Sequence, residues 1–276
     1  MKNFITSFVI LFSFNVFAQG AWTQKKGEAY TQLSFSSIGK YNSIYGNPNY
    51  STEREITDNT IQLYGEYGLN DKTTLILNIP LKLIETGNLV STTTPLTVAT
   101  SNTNLGNIEL GIKRRFYNQK WIISGQFNLE ANSGSFDNAS GIRTGIDAWS
   151  LTPTINAGRS FKWFYAQAFT GVALRTNNYS SSFKIGGEIG VRPINRIMII
   201  GLIDIVKSFE NGDVILPATN LLTGLYVNDQ EYAAYSLKFV GEITKKLGVN
   251  VGIGGAFSGN NVARRQALTF GAYHKF

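Results

Sequence analysis

The sequence predicts an all-β fold: a transmembrane antiparallel up-and-down β-barrel of about twelve strands, with short periplasmic turns and long extracellular loops. Three observations predict it. Apolar and polar residues alternate with period two along segment after segment. The segments match the 9–11 residues that a tilted strand needs to cross a hydrocarbon core. The connectors alternate between short turns and long polar stretches, the rhythm of a membrane barrel. Composition agrees: 16% of the 276 residues are charged, below the roughly 25% of soluble domains, while 13% are aromatic and 28 are Gly. Strands of a soluble sandwich would run to about 5–6 residues without such a loop rhythm.

The chain opens MKNFITSFVILFSFNVFAQG. Lys2 provides a positive start, Phe4 to Phe14 an apolar run, and Val16-Phe17-Ala18 a cleavage site before Gln19, so residues 1–18 read as a secretory signal peptide. The apolar run is shorter than the roughly 20 residues of a membrane-spanning helix. The barrel domain is then 19–276.

The alternation is cleanest at 107–116, where Ile108, Leu110, Ile112 and Phe116 oppose Glu109, Gly111, Lys113 and Arg115. In the same way Ile61, Leu63 and Tyr67 oppose Gln62, Tyr64 and Glu66. Leu75 to Leu83 oppose Thr74, Asn78 and Lys82, and Trp121, Ile123, Phe127 and Leu129 oppose Ser124, Gln126, Asn128 and Glu130. Phe183, Ile185 and Ile189 oppose Lys184, Glu188 and Arg192. Tyr235, Leu237 and Phe239 oppose Ser236, Lys238 and Glu242, and Leu247 to Ile253 oppose Gly248, Asn250 and Gly252. Less regular segments lie at 29–37, 148–158, 163–174, 196–207 and 266–276; in 163–174 and 196–207 both parities are apolar. Short turns are expected at 69–71, 117–119, 159–161, 193–195 and 244–246. Long loops are expected at 39–58, 85–104, 131–146, 175–181, 208–230 and 258–264.

If the apolar parity faces lipid, the other parity lines the lumen. The acids there are Glu66, Glu109, Glu130, Glu188, Asp204 and Glu242; the bases are Lys82, Lys113, Arg115, Lys184, Arg192 and Lys238. A Lys or Arg facing lipid at mid-depth would cost about 2–4 kcal/mol, so these residues belong inside. Two readings of such a wall stay open. One is a hydrated bipolar pore for small polar or zwitterionic solutes; the other is a lumen filled and stiffened by paired charges. Twelve strands lie between side-chain-filled eight-stranded barrels and open porins. Trp121, Trp149, Trp163, Tyr117 and Tyr165, with Trp22 and Tyr67, sit near strand ends and read as an interfacial aromatic girdle.

The chain ends Leu268-Thr-Phe270-Gly-Ala272-Tyr-His274-Lys-Phe276. This resembles the closing strand of bacterial outer-membrane proteins, with Phe276 as the assembly signal, and the resemblance implies recognition by the barrel-assembly machinery. The strand must close the barrel against residues near Glu28 to Ser37. The stretches Gly20-Ala21-Trp22-Thr23, Gly27-Glu28-Ala29-Tyr30 and Leu105 to Phe116 resemble the outer-membrane barrels grouped with the MetA-pathway phenol-degradation proteins. That resemblance implies passive transport of small organic molecules, aromatic ones among them, across the outer membrane.

The expected function is therefore a porin-like channel in the outer membrane of a Gram-negative bacterium. The alternative is a structural or surface-interaction barrel acting through its extracellular loops. Its partners are outer-membrane lipid and a small-molecule cargo. The net charge of +7 carries no nucleic-acid motif. With no Cys and one His, no metal site or cofactor is expected. His274 has no identifiable catalytic partner and there is no Gly-x-Ser-x-Gly elbow, so an enzyme is not expected.

Overall fold

A sheet in hydrocarbon can leave no edge unpaired, because nothing there hydrogen-bonds a bare amide. The chain meets this constraint by closing on itself. The computed structural model describes residues 20–87, 97 and 99–276, so the expected signal peptide and part of the 85–104 loop lie outside the described residues. It shows a closed twelve-stranded antiparallel barrel. In chain order the strands are β1 (Ala29–Tyr45), β2 (Tyr50–Asn70), β3 (Thr73–Thr86), β4 in two stretches (Thr100–Leu105 and Glu109–Asn118), β5 (Ile122–Glu130), β6 (Ser150–Ser160), β7 (Phe164–Arg175), β8 (Ser182–Ile194), β9 (Ile197–Ser208), β10 (Glu231–Glu242), β11 (Leu247–Asn260) and β12 (Ala267–Lys275). Each pairs with the next. β12 closes the ring on β1 from Tyr30↔Lys275 to Ser37↔Leu268, and the amide of Phe276 donates to Ala29 O at 2.9 Å.

The twelve segments of alternation are the twelve strands. Four of the five turns fall one or two residues beyond their expected places, as at Asp71-Lys72, and the turn at 244–246 lies as expected. The larger differences are at the loop end. The stretch 39–58 is mostly strand, since β1 runs on to Tyr45 and β2 starts at Tyr50, with register shifts near Tyr41. Ser258 to Asn260 belong to β11, and Val262–Ala263 pair with Tyr45 and Ile44. The polar composition of these stretches conceals Tyr41, Ile44 and Ile56, each at most 5% exposed. They are ordered by packing against other loops, which no local pattern reveals.

The two faces of the wall differ as alternation requires. Leu33, Leu63, Leu110, Phe127, Ile155 and Phe270 point outward and are 43–59% exposed. The inward face carries two apolar layers. Near the turns, Tyr30, Tyr64, Ile76, Tyr165, Met198, Ile200, Val240 and Tyr273 pack across the lumen with Trp22. Near the loops, Tyr41, Ile44, Ile56, Ile84, Ile142 and Leu225 form the second layer. No helix among the described residues is long and apolar enough to cross a membrane; the helix Ala218–Leu221 is part of a loop.

The outer face generates a prediction. Leu110→Arg, on the wall of β4, is expected to destabilise the barrel by about 2–4 kcal/mol in lipid. Urea titration of vesicle-inserted protein measures it, and a neutral result would mean that this face does not meet acyl chains.

Candidate functional site

The interior is built from both ends towards the middle. At the turn end, the segment ahead of β1 folds back into the barrel. Residues 25–28 turn over the rim, where Gly27 N donates to Gly68 O at 2.8 Å and Gly68 N to Glu28 O at 2.9 Å. Residues 20–24 then run inside. Ala21 N donates to Gln167 Oε1 at 3.2 Å and Gln24 N to Thr74 Oγ1 at 2.8 Å. Gln24 Nε2 donates to Glu66 Oε2 at 2.7 Å, and Lys113 Nζ donates to Gly20 O at 3.2 Å. Trp22 meets the Tyr165 ring edge-on at 5.7 Å.

A buried ion pair anchors this seal. Lys113 Nζ lies 3.1 Å from Glu66 Oε1, with side chains 1% and 3% exposed. Tyr64 donates to the same carboxylate oxygen at 2.8 Å. Excellent geometry and added hydrogen bonds are what such a desolvated pair needs.

At the loop end, the hairpin of Phe136–Asp137 and Ile142–Arg143 descends against the loop that follows β9. Arg143 Nε donates to Asn220 Oδ1 at 3.0 Å, and Thr223 Oγ1 to Gly141 O at 3.2 Å. The Arg54 guanidinium donates to Ser140 O. Gly141 takes φ +74°, and a Cβ there would come within 1.9 Å of Thr219 O, so the interlock needs glycine at that point. The Ser140 hydroxyl, then the amides of Ala139 and Ser140, hold the Asp137 carboxyl below its usual range and pin the hairpin tip.

Between the two seals lies a polar chamber of about 280 Å³, continuous in its lining with a second space of about 100 Å³. Glu130, Arg175 and Lys184 line both, Lys82 and Tyr232 the larger, and Glu109, Gln126 and Ser150 the smaller. The buried Ser124 Oγ, Gln126 Oε1, Ser150 Oγ, Asn156 Nδ2 and Ser182 Oγ have no hydrogen-bond partner in the protein. Such groups take water or a solute, since leaving one dry costs about 1–3 kcal/mol.

The structure sorts the inward charges into pairs and open groups. Lys82 pairs with Asp58 at 2.9 Å, Lys113 with Glu66, and Arg192 with Glu242 at 3.1 Å. Glu188 accepts from the Tyr165 hydroxyl and from Gln167 Nε2, and stands within electrostatic reach of Lys238. Asp204 accepts from Tyr232 at 3.2 Å. Arg115 lies at the turn rim, donating to Asp71 O at 2.8 Å. Glu109, Glu130 and Lys184 face the chamber.

Two aromatic expectations need correction. Tyr165 is 1% exposed and points inward; apolar residues on both parities of β7 hid its direction. Trp22 lies in the lumen because the chain folds back over the rim, which its place near a strand start did not disclose. Trp121, Trp163 and Tyr117 stand exposed at the turn end, and Trp149 at the loop end. Sequence reasoning also missed Asp58 and Arg175, both assigned to loops. The polar parity of Thr60 to Glu66 carried back two residues would have found Asp58; for Arg175 the apolar residues on both parities of β7 gave no parity to extend.

The fold is that of known outer-membrane channels. An outer membrane channel from Pseudomonas putida F1 superposes with a TM-score of 0.69 at 12% identity, covering 95% of this chain and 100% of that one. The KdgM porin in complex with oligogalacturonate gives 0.52 at 8% identity, over 90% and 99%. A mutant of TodX, a monoaromatic hydrocarbon channel, gives 0.50 at 8% identity, over 91% of each. These similar structures are channels and porins, not enzymes. No family model and no curated protein matches the sequence.

Lys113→Met is expected to cost about 3–5 kcal/mol, because it strands the Glu66 carboxylate in a dry site. The double variant Glu66→Gln/Lys113→Met is expected to cost less than the single one. Urea unfolding of both measures this; equal losses would show that the pair does not anchor the seal.

Proposed function

We propose that the protein is a passive channel for small solutes in the bacterial outer membrane, with its turns in the periplasm and its loops outside, and that the structure is its closed state. The observation that supports this reading most directly is the polar chamber held between two seals. A barrel built only as a scaffold gains nothing from buried polar groups without partners, each of which opposes folding unless wetted. Four of the inward charges that are not tied into pairs, Glu109, Glu130, Arg175 and Lys184, gather in that chamber. The fold shared with outer-membrane channels and porins supports the same reading.

The rest of the molecule suits this placement. The outward apolar band meets lipid, and Trp121, Trp149, Trp163 and Tyr117 would form the interfacial girdle. Removal of residues 1–18 as an export signal would leave Gln19 directly ahead of the segment seated in the lumen. Recognition of Phe276 by the barrel-assembly machinery belongs to the same reading, supported by its exposure beside the closing strand. The reading assigns no catalysis. His274 stands on the outward parity with its ring against Phe276, centroids 4.3 Å apart, remote from the chamber.

A second reading, a structural barrel acting through its loops, draws on the paired charges and the interlocked loops that cap the lumen. Conductance separates the two. In planar bilayers the full-length barrel is expected to open rarely, and deletion of residues 19–24 to raise conductance several-fold, with heat-modifiable gel mobility confirming that the variant is folded. Absence of both current and solute flux from either form would reject the channel.

A further inference from the structure

The chamber contains an arrangement that charge pairing alone does not explain. Glu109, Glu130, Ser150 and Arg175 are successive register partners across β4, β5, β6 and β7. They form one row around the inner wall. Glu130 and Arg175 are separated by the β6 strand, two strand spacings or about 10 Å between backbones. The residue between them is the small Ser150, 3% exposed, whose hydroxyl has no partner. Lys184 lines the same space from β8, where its register partner on β7 is Gly171.

The charges at the two ends of this row do not meet. Arg175 lies within electrostatic reach of Glu130, and Lys184 of Glu109. Among the described residues neither couple forms an ion pair, although Lys82–Asp58, Lys113–Glu66 and Arg192–Glu242 in the same lumen all do. Glu109 and Glu130 are direct register partners and repel each other. Neutral donors reach them, Asn107 to Glu130 at 2.8 Å and Asn128 to Glu109, and neither supplies positive charge. Arg175 spends one nitrogen on Ser180 O at 2.9 Å and leaves Nε buried without a partner. Two adjacent carboxylates at one end of the row, Arg175 at the other with a bare hydroxyl between, and Lys184 in the same space describe a receptor for a molecule with an ammonium and a carboxylate at opposite ends.

We propose that this row is a binding site for small zwitterions of amino-acid size. The solute's ammonium sits on Glu109 and Glu130, its carboxylate on Arg175 and Lys184, and its middle passes over Ser150. The inference rests on the channel reading for its purpose, since the site would select what crosses. It stands by itself as a claim about binding. A simple anion would leave the two glutamates uncompensated, and a simple cation the arginine and lysine. Only a solute carrying both charges answers all four, and the row lines the space of about 100 Å³, which shares Glu130, Arg175 and Lys184 with the larger one of about 280 Å³.

The test uses four probes of one length: γ-aminobutyrate, butyrate, butylamine and 1,4-butanediol. Calorimetric titration of the detergent-solubilised full-length barrel is expected to give γ-aminobutyrate an affinity at least about tenfold above each of the other three, the change expected for roughly 1.4 kcal/mol. Arg175→Gln and, as a second variant, Lys184→Gln are expected to bring γ-aminobutyrate towards butylamine while leaving butylamine unchanged. Glu130→Gln is expected to bring it towards butyrate while leaving butyrate unchanged. Equal binding of all four probes, or butyrate binding as well as γ-aminobutyrate, overturns the proposal. Proteoliposome swelling with the same probes separates the two claims. Equal rates for all four would overturn selection at this row and leave the channel standing. Selective binding without any swelling would uphold the site and reject the channel.

Discussion

The structure depends on one constraint: each strand has oil on one side and a private interior on the other, and the sheet has no edge. Backbone amides in hydrocarbon must find partners within the wall, so β12 has to return to β1. Closure then makes side-chain parity a matter of solvent. Leu110 and Lys113, three positions apart on β4, meet lipid and a buried carboxylate respectively. Every polar residue in the lumen follows from that division, because the wall offers no other place to put it.

A closed wall of twelve strands encloses more room than its own side chains fill. The chain fills the ends from outside the strands. Residues 20–24 come back over the turn rim and complete a layer of tyrosines and aliphatic residues around Trp22. Two loops come down from the other side and lock through Arg143, Asn220 and Thr223. These seals differ in chemistry. The turn-end seal is a short segment held by a few side-chain hydrogen bonds and one ion pair. The loop-end seal is a mutual fit of two long connections over a layer of isoleucines. A short tethered segment is the easier of the two to displace, because few contacts have to break together.

What remains between the seals is wet by necessity. Its serine, asparagine and glutamine side chains cannot all satisfy one another across strands that alternate in fixed register, and its four open charges are spaced by that same register. The row from Glu109 to Arg175 owes its gap to Ser150: a longer polar residue there could have bridged the charges and closed the space. Selectivity, on this view, comes from where a small residue interrupts a charged row more than from the overall charge of the pore.

The sequence by itself determined the wall. Period-two alternation, segment length and the short–long rhythm of connectors are local properties, and they place the strands, the lipid face and the inward parity of residues such as Glu66, Lys113, Glu130 and Lys184. Parity could not be read where both faces are apolar, which is why Tyr165 was misplaced. It also could not extend into polar stretches such as 39–58, where order comes from contact with distant loops. Which inward charges pair, and which stay open, was decided only by the tertiary structure. Lys82 finds Asp58 on the neighbouring strand, Lys113 finds Glu66 across the intervening β3, and residues 20–24 enter the lumen, because the curved wall sets positions far apart in the chain at one height. Alternation tells a side chain which way to point; the shear and closure of the barrel decide what it meets there.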